Sequence, residues 1–120
     1  MDTGNLLTLA AALEDHWSPK VVGRINDQFV KVAKVLGELA WHKHDDEDEM
    51  FLVLQGHLRI EYENQPAVEL SAGDFHIVPR NTMHNPVCSE ECLLALFEPA
   101  TPLHTGNTVT DKTVPIDQQI

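Results

Sequence analysis

From Val21 to Phe97 the chain is cut into short runs of β-branched and aromatic residues by turn chemistry at nearly regular spacing, and this punctuation limits the folds open to it. Asn26-Asp27 divides Val21 to Ile25 from Gln28 to Leu36, and Gln55-Gly56 divides Met50 to Leu54 from Leu58 to Tyr62. Asn64-Gln65-Pro66 precedes Ala67 to Leu70, Ala72-Gly73-Asp74 precedes Phe75 to Val78, and a last apolar run, Leu93 to Phe97, ends at Pro99. At least seven short strands with no helices between them predict an all-β antiparallel sandwich or barrel and exclude a parallel sheet, which needs long crossover connections. Ahead of the strands, Leu6, Leu7, Ala10, Ala11 and Leu13 follow helical spacing, and Thr3 or Asn5 can cap the start. The expected organisation is an N-terminal helix and arm over residues 1–20, a barrel over 21–100, and a tail over 101–120 that packs on the barrel or lies loose.

At 120 residues and 42% hydrophobic content the chain suits one core. Eight Lys and Arg against 19 Asp and Glu give a net charge of −11, which repels phosphate backbones and anionic headgroups, so neither nucleic acid nor membrane is expected as a partner. No stretch approaches the roughly 20 apolar residues of a membrane span. The N-terminus lacks the basic leading region of a secretory signal, and Cys88 and Cys92 are too few for a disulfide framework. The expectation is a cytoplasmic protein with reduced thiols.

The chemistry-bearing segment runs from Trp41 to Glu49. Residues two apart on a strand share a face, so His42 and His44 present two imidazoles side by side. Glu49 differs from them in parity, which makes the acidic stretch Asp45 to Asp48 a turn and starts the next strand at Glu49, with Phe51 and Val53 on the same face. His84 follows a glycine turn, a short strand and a Pro-led turn that bring the chain back to the barrel mouth. Three imidazoles and a carboxylate suit one borderline divalent ion, Mn, Fe, Ni or Zn, and leave it a net charge near +1 that attracts anionic oxygen ligands. Glu47 is the rival carboxylate. The acidic run lacks the glycine and ligand spacing of a calcium loop.

The pattern resembles the cupin superfamily. Gly37, His42, His44, Glu49 and Gly56 are similar to its first motif, and Gly73, Pro79, Asn81, His84 and Cys88 to its second. The likeness runs over about residues 21 to 98 and is closest to small one-domain cupins of the mannose-6-phosphate-isomerase-like type. It implies a jelly-roll barrel, a metal inside it held by His42, His44, Glu49 and His84, and frequently a homodimer. Three departures stand out: the first spacer is one residue short, Asn81 replaces a turn glycine, and Cys88 replaces a terminal asparagine. Asparagine tolerates the left-handed backbone that such a turn requires.

Phe51, Val53 and Cys88 are the candidates for a substrate pocket, with core packing as the alternative for each. His16, His57, His76 and His104 lack a partner at ligand spacing and read as surface or satisfied histidines, and Arg59 and Arg80 as surface arginines. Two functions follow. One is a metal-dependent dioxygenase or isomerase acting on a small oxygenated anionic metabolite. The other is a non-catalytic module that holds a metal or a sugar. Parity supplies no inward carboxylate besides Glu49 to act as a general base, since Glu61, Glu63 and Glu69 face out unless bulges intervene. The edge offered by Val21 to Leu36 is the expected dimer contact.

Overall fold

The computed structural model describes residues 1–100 and Gln119. Helix α1 (Leu6–Ala11) is followed by seven strands: β1 (Lys20–Ile25), β2 (Gln28–Glu38), β3 (Glu49–Gln55), β4 (His57–Tyr62), β5 (Val68–Ser71), β6 (Phe75–Val78) and β7 (His84–Pro99). All strand pairs are antiparallel, as the turn punctuation predicts. Asn5 caps α1, its Oδ1 accepting from the Thr8 amide at 2.9 Å. The tail expectation falls outside the described residues except at Gln119, whose Oε1 accepts from Lys31 Nζ at 2.5 Å.

The sheet runs β1-β2-β7-β3-β6, with β4 paired to β7 and β5 to β4. Strand β7 organises the barrel. Its first residues, His84 to Val87, pair with β4, its last, Leu93 to Phe97, pair with β3, and β2 follows it along the other side from Pro99 to Val87. The polar residues Ser89, Glu90 and Glu91 are exposed between its pairing with β4 and its pairing with β3. This strand spans 16 residues, far longer than the Leu93 to Phe97 run read from the sequence. The β4–β7 ladder carries it through Pro86, which pairs with Ile60, and the β2–β7 register shifts across the polar middle, between Cys88 and Cys92.

Alternation along the strands builds the core. Ala33 and Val35 of β2, Phe51 and Val53 of β3, Leu58 and Ile60 of β4, and Leu94 and Leu96 of β7 fill the interior. A second cluster, Ala10, Val32 and Leu93 with Leu6, Leu13, Val22 and Leu54 against it, seats α1 on the outer face of the sheet. Within the expected edge Val21 to Leu36, β1 is an end of the main path while β2 is paired on both sides; the other end is β6.

Candidate metal centre

The loop from Leu39 to Asp48 is pinned to β7 by a reciprocal pair of backbone hydrogen bonds, His42 N to His84 O and His84 N to His42 O, both 2.9 Å. This bridge sets two of the expected ligands directly opposite one another, with ring centroids 4.3 Å apart. The turn from Asp45 to Asp48 then returns the chain so that β3 begins at Glu49 with its side chain inward. Asn81 sits at φ 57°, the left-handed conformation expected for a residue in a glycine's place, and its amide donates to the His44 carbonyl.

His42, His44, Glu49 and His84 are all buried, at 0, 5, 3 and 0% exposure. The Nδ1–H of His42 donates to the Ala40 carbonyl and that of His84 to the Thr82 carbonyl, each at 2.8 Å. A carbonyl only accepts, so Nδ1 carries the proton in both rings and Nε2 keeps its lone pair. Glu49 Oε1 lies 3.5 Å from His44 Nε2 and 4.0 Å from His84 Nε2. These three atoms are fully enclosed and have no hydrogen-bond partner. Orphaned buried polar atoms are costly, and two imidazole nitrogens flanking a carboxylate oxygen suit a cation, which would accept their lone pairs. His42, Glu49 and His84 offer ligand atoms within 4.8 Å of one another. Glu47, the rival carboxylate, is only half-buried in the turn.

Burial controls the charge state of the site. It lowers the pKa of His44, although the Glu98 and Glu47 carboxylates pull the other way. It lowers His84 to about 4, against a raising contribution from the Thr82 carbonyl. Both imidazoles are therefore neutral near pH 7, the form that binds metals. Burial also raises the pKa of Glu49, offset in part by Glu98 and Lys31.

Glu98 corrects the expectation that Glu49 is the one inward carboxylate. It shares the inward parity of Leu94 and Leu96, pairs in register with Phe29, and is 1% exposed. Lys31, also fully buried, places Nζ 2.6 Å from Glu98 Oε1. Burial and the neighbouring Glu49 charge hold the Glu98 carboxyl well above its ordinary pKa, with Lys31 opposing. The signal was present in the sequence: Glu98 continues the alternation of Leu94 and Leu96 by one step, and Lys31 that of Phe29 and Ala33. Both break the apolar pattern of their strands, and the apolar run read from the sequence ends one residue before Glu98.

Of the pocket candidates, Phe51 stands beside the centre, its ring 6.3 Å from that of His84, and lines a cavity of about 20 Å³ together with Trp17, Glu49, Leu94 and Leu96. Val53 and Cys88 are buried in the core and do not line that cavity. Tyr62, which the sequence reading passed over, pairs in register with His84; its ring lies 6.4 Å from the His84 ring, and its hydroxyl is 2.6 Å from His76 Nε2. Tyr62 also lines an open groove of about 460 Å³ with Lys43, Asn81, Thr82 and Met83. His16 pairs with Glu91 and His57 with Glu69 on the surface, Arg59 bridges Glu61 and Glu69, and His104 lies outside the described residues. Glu63 is exposed.

The Cupin domain family matches residues 29–98 of this chain. The chain belongs to the cupin family. Its likeness to the uncharacterized protein YdbB of Bacillus subtilis (strain 168) is 35% identity over 80 residues, covering 67% of this chain and 71% of that protein. A solved cupin-2 domain containing protein from Shewanella frigidimarina NCIMB 400 is 38% identical, covers 79% of this chain and 92% of its own, and superposes with a TM-score of 0.75. A hydroquinone 1,2-dioxygenase from Sphingomonas sp. TTNP3, with 4-hydroxybenzoate bound, shares the cupin fold at 15% identity and a TM-score of 0.65, over 79% of this chain and 71% of that one. Cupins commonly bind a metal, and the buried His and Glu side chains are the candidate site in this one. Among the described residues no helix is long and apolar enough to cross a membrane.

Proposed function

We propose that this cupin is a metal-dependent enzyme, of dioxygenase or isomerase type, that holds one divalent ion through His42, His44, Glu49 and His84 and acts on a small, oxygenated, anionic metabolite. The observation that carries the reading is the burial of two partnerless imidazole nitrogens, Nε2 of His44 and His84, 3.5 and 4.0 Å from the equally partnerless Oε1 of Glu49 inside the barrel. When bound, the ion supplies Lewis-acid or one-electron chemistry and an excess positive charge for anionic oxygens. The protein does the rest. The Ala40 and Thr82 carbonyls fix the His42 and His84 rings in the tautomer that presents Nε2. Phe51, Leu94 and Leu96 form an apolar wall that excludes water and strengthens every charge interaction at the centre. Tyr62 connects the His84 side of the site to the groove beside Lys43, which gives a substrate a route and a cation at its entrance.

One observation favours the second reading, a module that holds a metal or a sugar without turnover. The cavity beside Glu49 has room for about one water-sized occupant. Elemental analysis of tag-free protein, compared with the His42→Ala, His84→Ala double variant, tests both. One equivalent of Mn, Fe, Ni or Zn that is lost in the variant is the expected result. Absence of metal after reconstitution would remove the metal reading. Iron-loaded protein that consumes no oxygen with any phenol, diketone or keto acid would remove the dioxygenase form.

A further inference from the structure

We propose that Glu98 is a fifth protein ligand of the centre, with Lys31 as its fixed counter-charge. The proposal rests on the metal reading above and extends its donor set. Two overlapping trios of ligand atoms lie within 4.8 Å of one another: His42, Glu49 and His84, and His44, Glu49 and Glu98. Glu49 belongs to both. Donors bound to one six-coordinate ion at roughly 2.1 Å stand no more than about 4.2 Å apart, so the side chains of the two trios must draw in around the shared Glu49 for one ion to take all five.

Glu98 has the two properties that a ligand in waiting needs. It is 1% exposed, its Oε1 lies 2.6 Å from Lys31 Nζ, and its carboxyl interacts with that of Glu49, an expected ligand. Glu98 is thus tethered by Lys31 and set against Glu49. A second carboxylate would by itself cancel the charge of a divalent ion, and Lys31 prevents that: with Glu49, Glu98 and Lys31 counted together, the loaded centre keeps a net charge near +1 and still attracts an anionic oxygen. A buried lysine otherwise has no place in an apolar barrel, since a desolvated ammonium needs a partner. Five protein ligands leave a six-coordinate ion one open position. The ligand class that follows is an anion binding through a single oxygen, and a two-oxygen substrate has to displace Glu98 toward Lys31.

The test is a Mn²⁺ titration of the whole chain, with free Mn²⁺ followed by electron paramagnetic resonance and bound Mn²⁺ by water-proton relaxation, in wild type and in Glu98→Gln. Expected are one Mn²⁺ per chain with one exchangeable water in wild type, and an affinity at least about tenfold weaker with one additional water in the variant. Two waters in wild type, or an unchanged affinity and water number in Glu98→Gln, overturn the proposal and leave the four-ligand site standing. Two Mn²⁺ per chain overturn it in favour of two centres bridged by Glu49. No Mn²⁺ bound at all overturns both this proposal and the metal reading. Should Glu98→Gln fail to fold, Lys31→Met combined with Glu98→Gln removes both charges of the buried pair together and carries the same readout.

Discussion

Gly56 and Asn81 occupy the same left-handed region for different reasons, and substitution separates them. Gly56 has φ 95°, and a Cβ there would meet the Glu91 carbonyl at 3.0 Å and Cys92 Cα at 3.2 Å, both backbone atoms that cannot move aside. Gly56→Ala is expected to cost about 2 kcal/mol, read as a lower urea midpoint at unchanged slope. Asn81 at φ 57° is a residue that tolerates the conformation, so Asn81→Gly is expected to stay within about 0.5 kcal/mol of wild type in the same assay. Lys43 Nζ loses its 3.0 Å hydrogen bond to Asn81 Oδ1 in that variant, an exposed contact of small worth. Gly56, the histidines and Glu49 stood out in the sequence through their spacing together with the likeness to the cupin motifs. The Tyr62 to His76 contact was not, because it joins strands whose adjacency no local pattern encodes.

The strands show the same division between local and non-local information. Strands β3 to β6 were readable because each is short, alternating and bounded by a turn. Strand β7 was readable only where it is apolar; its opening, from His84 through Pro86 to the exposed Ser89 to Glu91, is strand because β4 and β2 pair with it. Ending the run at Phe97 hid Glu98, one residue further and on the inward face. The edges carry a prediction of their own. Strand β6 ends the main path and exposes Phe75 at 60% and Ile77 at 48%. Apolar side chains on an unpaired edge are where a second copy gains most by covering the strand. The homodimer expected from the family resemblance is here tested at β6, the end of the path opposite β1. Light scattering is expected to give twice the 13.4 kDa chain mass, falling to the single-chain value in Phe75→Glu, Ile77→Lys. A mass of one chain for wild type at micromolar concentration rejects the dimer, and a dimer that survives both substitutions rejects this edge.

Over the whole molecule, ion binding, protonation and folding are linked through one buried cluster. An ion that binds the folded chain and not the unfolded one stabilises it by about 2.7 kcal/mol at a hundredfold excess over its dissociation constant, or roughly 10 °C in Tm for a chain of this size. Acid should reverse that gain, and the groups responsible can be ordered. His84, lowered to about 4, is neutral at pH 6.5 and releases no proton when the ion arrives, and burial shifts His44 in the same direction. Burial raises Glu49 and, more strongly, Glu98, so the folded ion-free chain holds a proton on this carboxyl pair to higher pH than free carboxyls would. A raised carboxyl pKa means that the ion competes with a bound proton; affinity therefore rises with pH until the pair is ionised. The loss on acidification steepens near pH 4, where His84 takes up its proton as well. Calorimetric titration of Mn²⁺ at pH 6.5, in buffers of different ionisation enthalpy, is expected to show proton release on ion binding in wild type and markedly less in Glu98→Gln. Equal release in both would assign the proton to Glu49 or the imidazoles. Release growing as the pH is raised would contradict the direction of the carboxyl shifts.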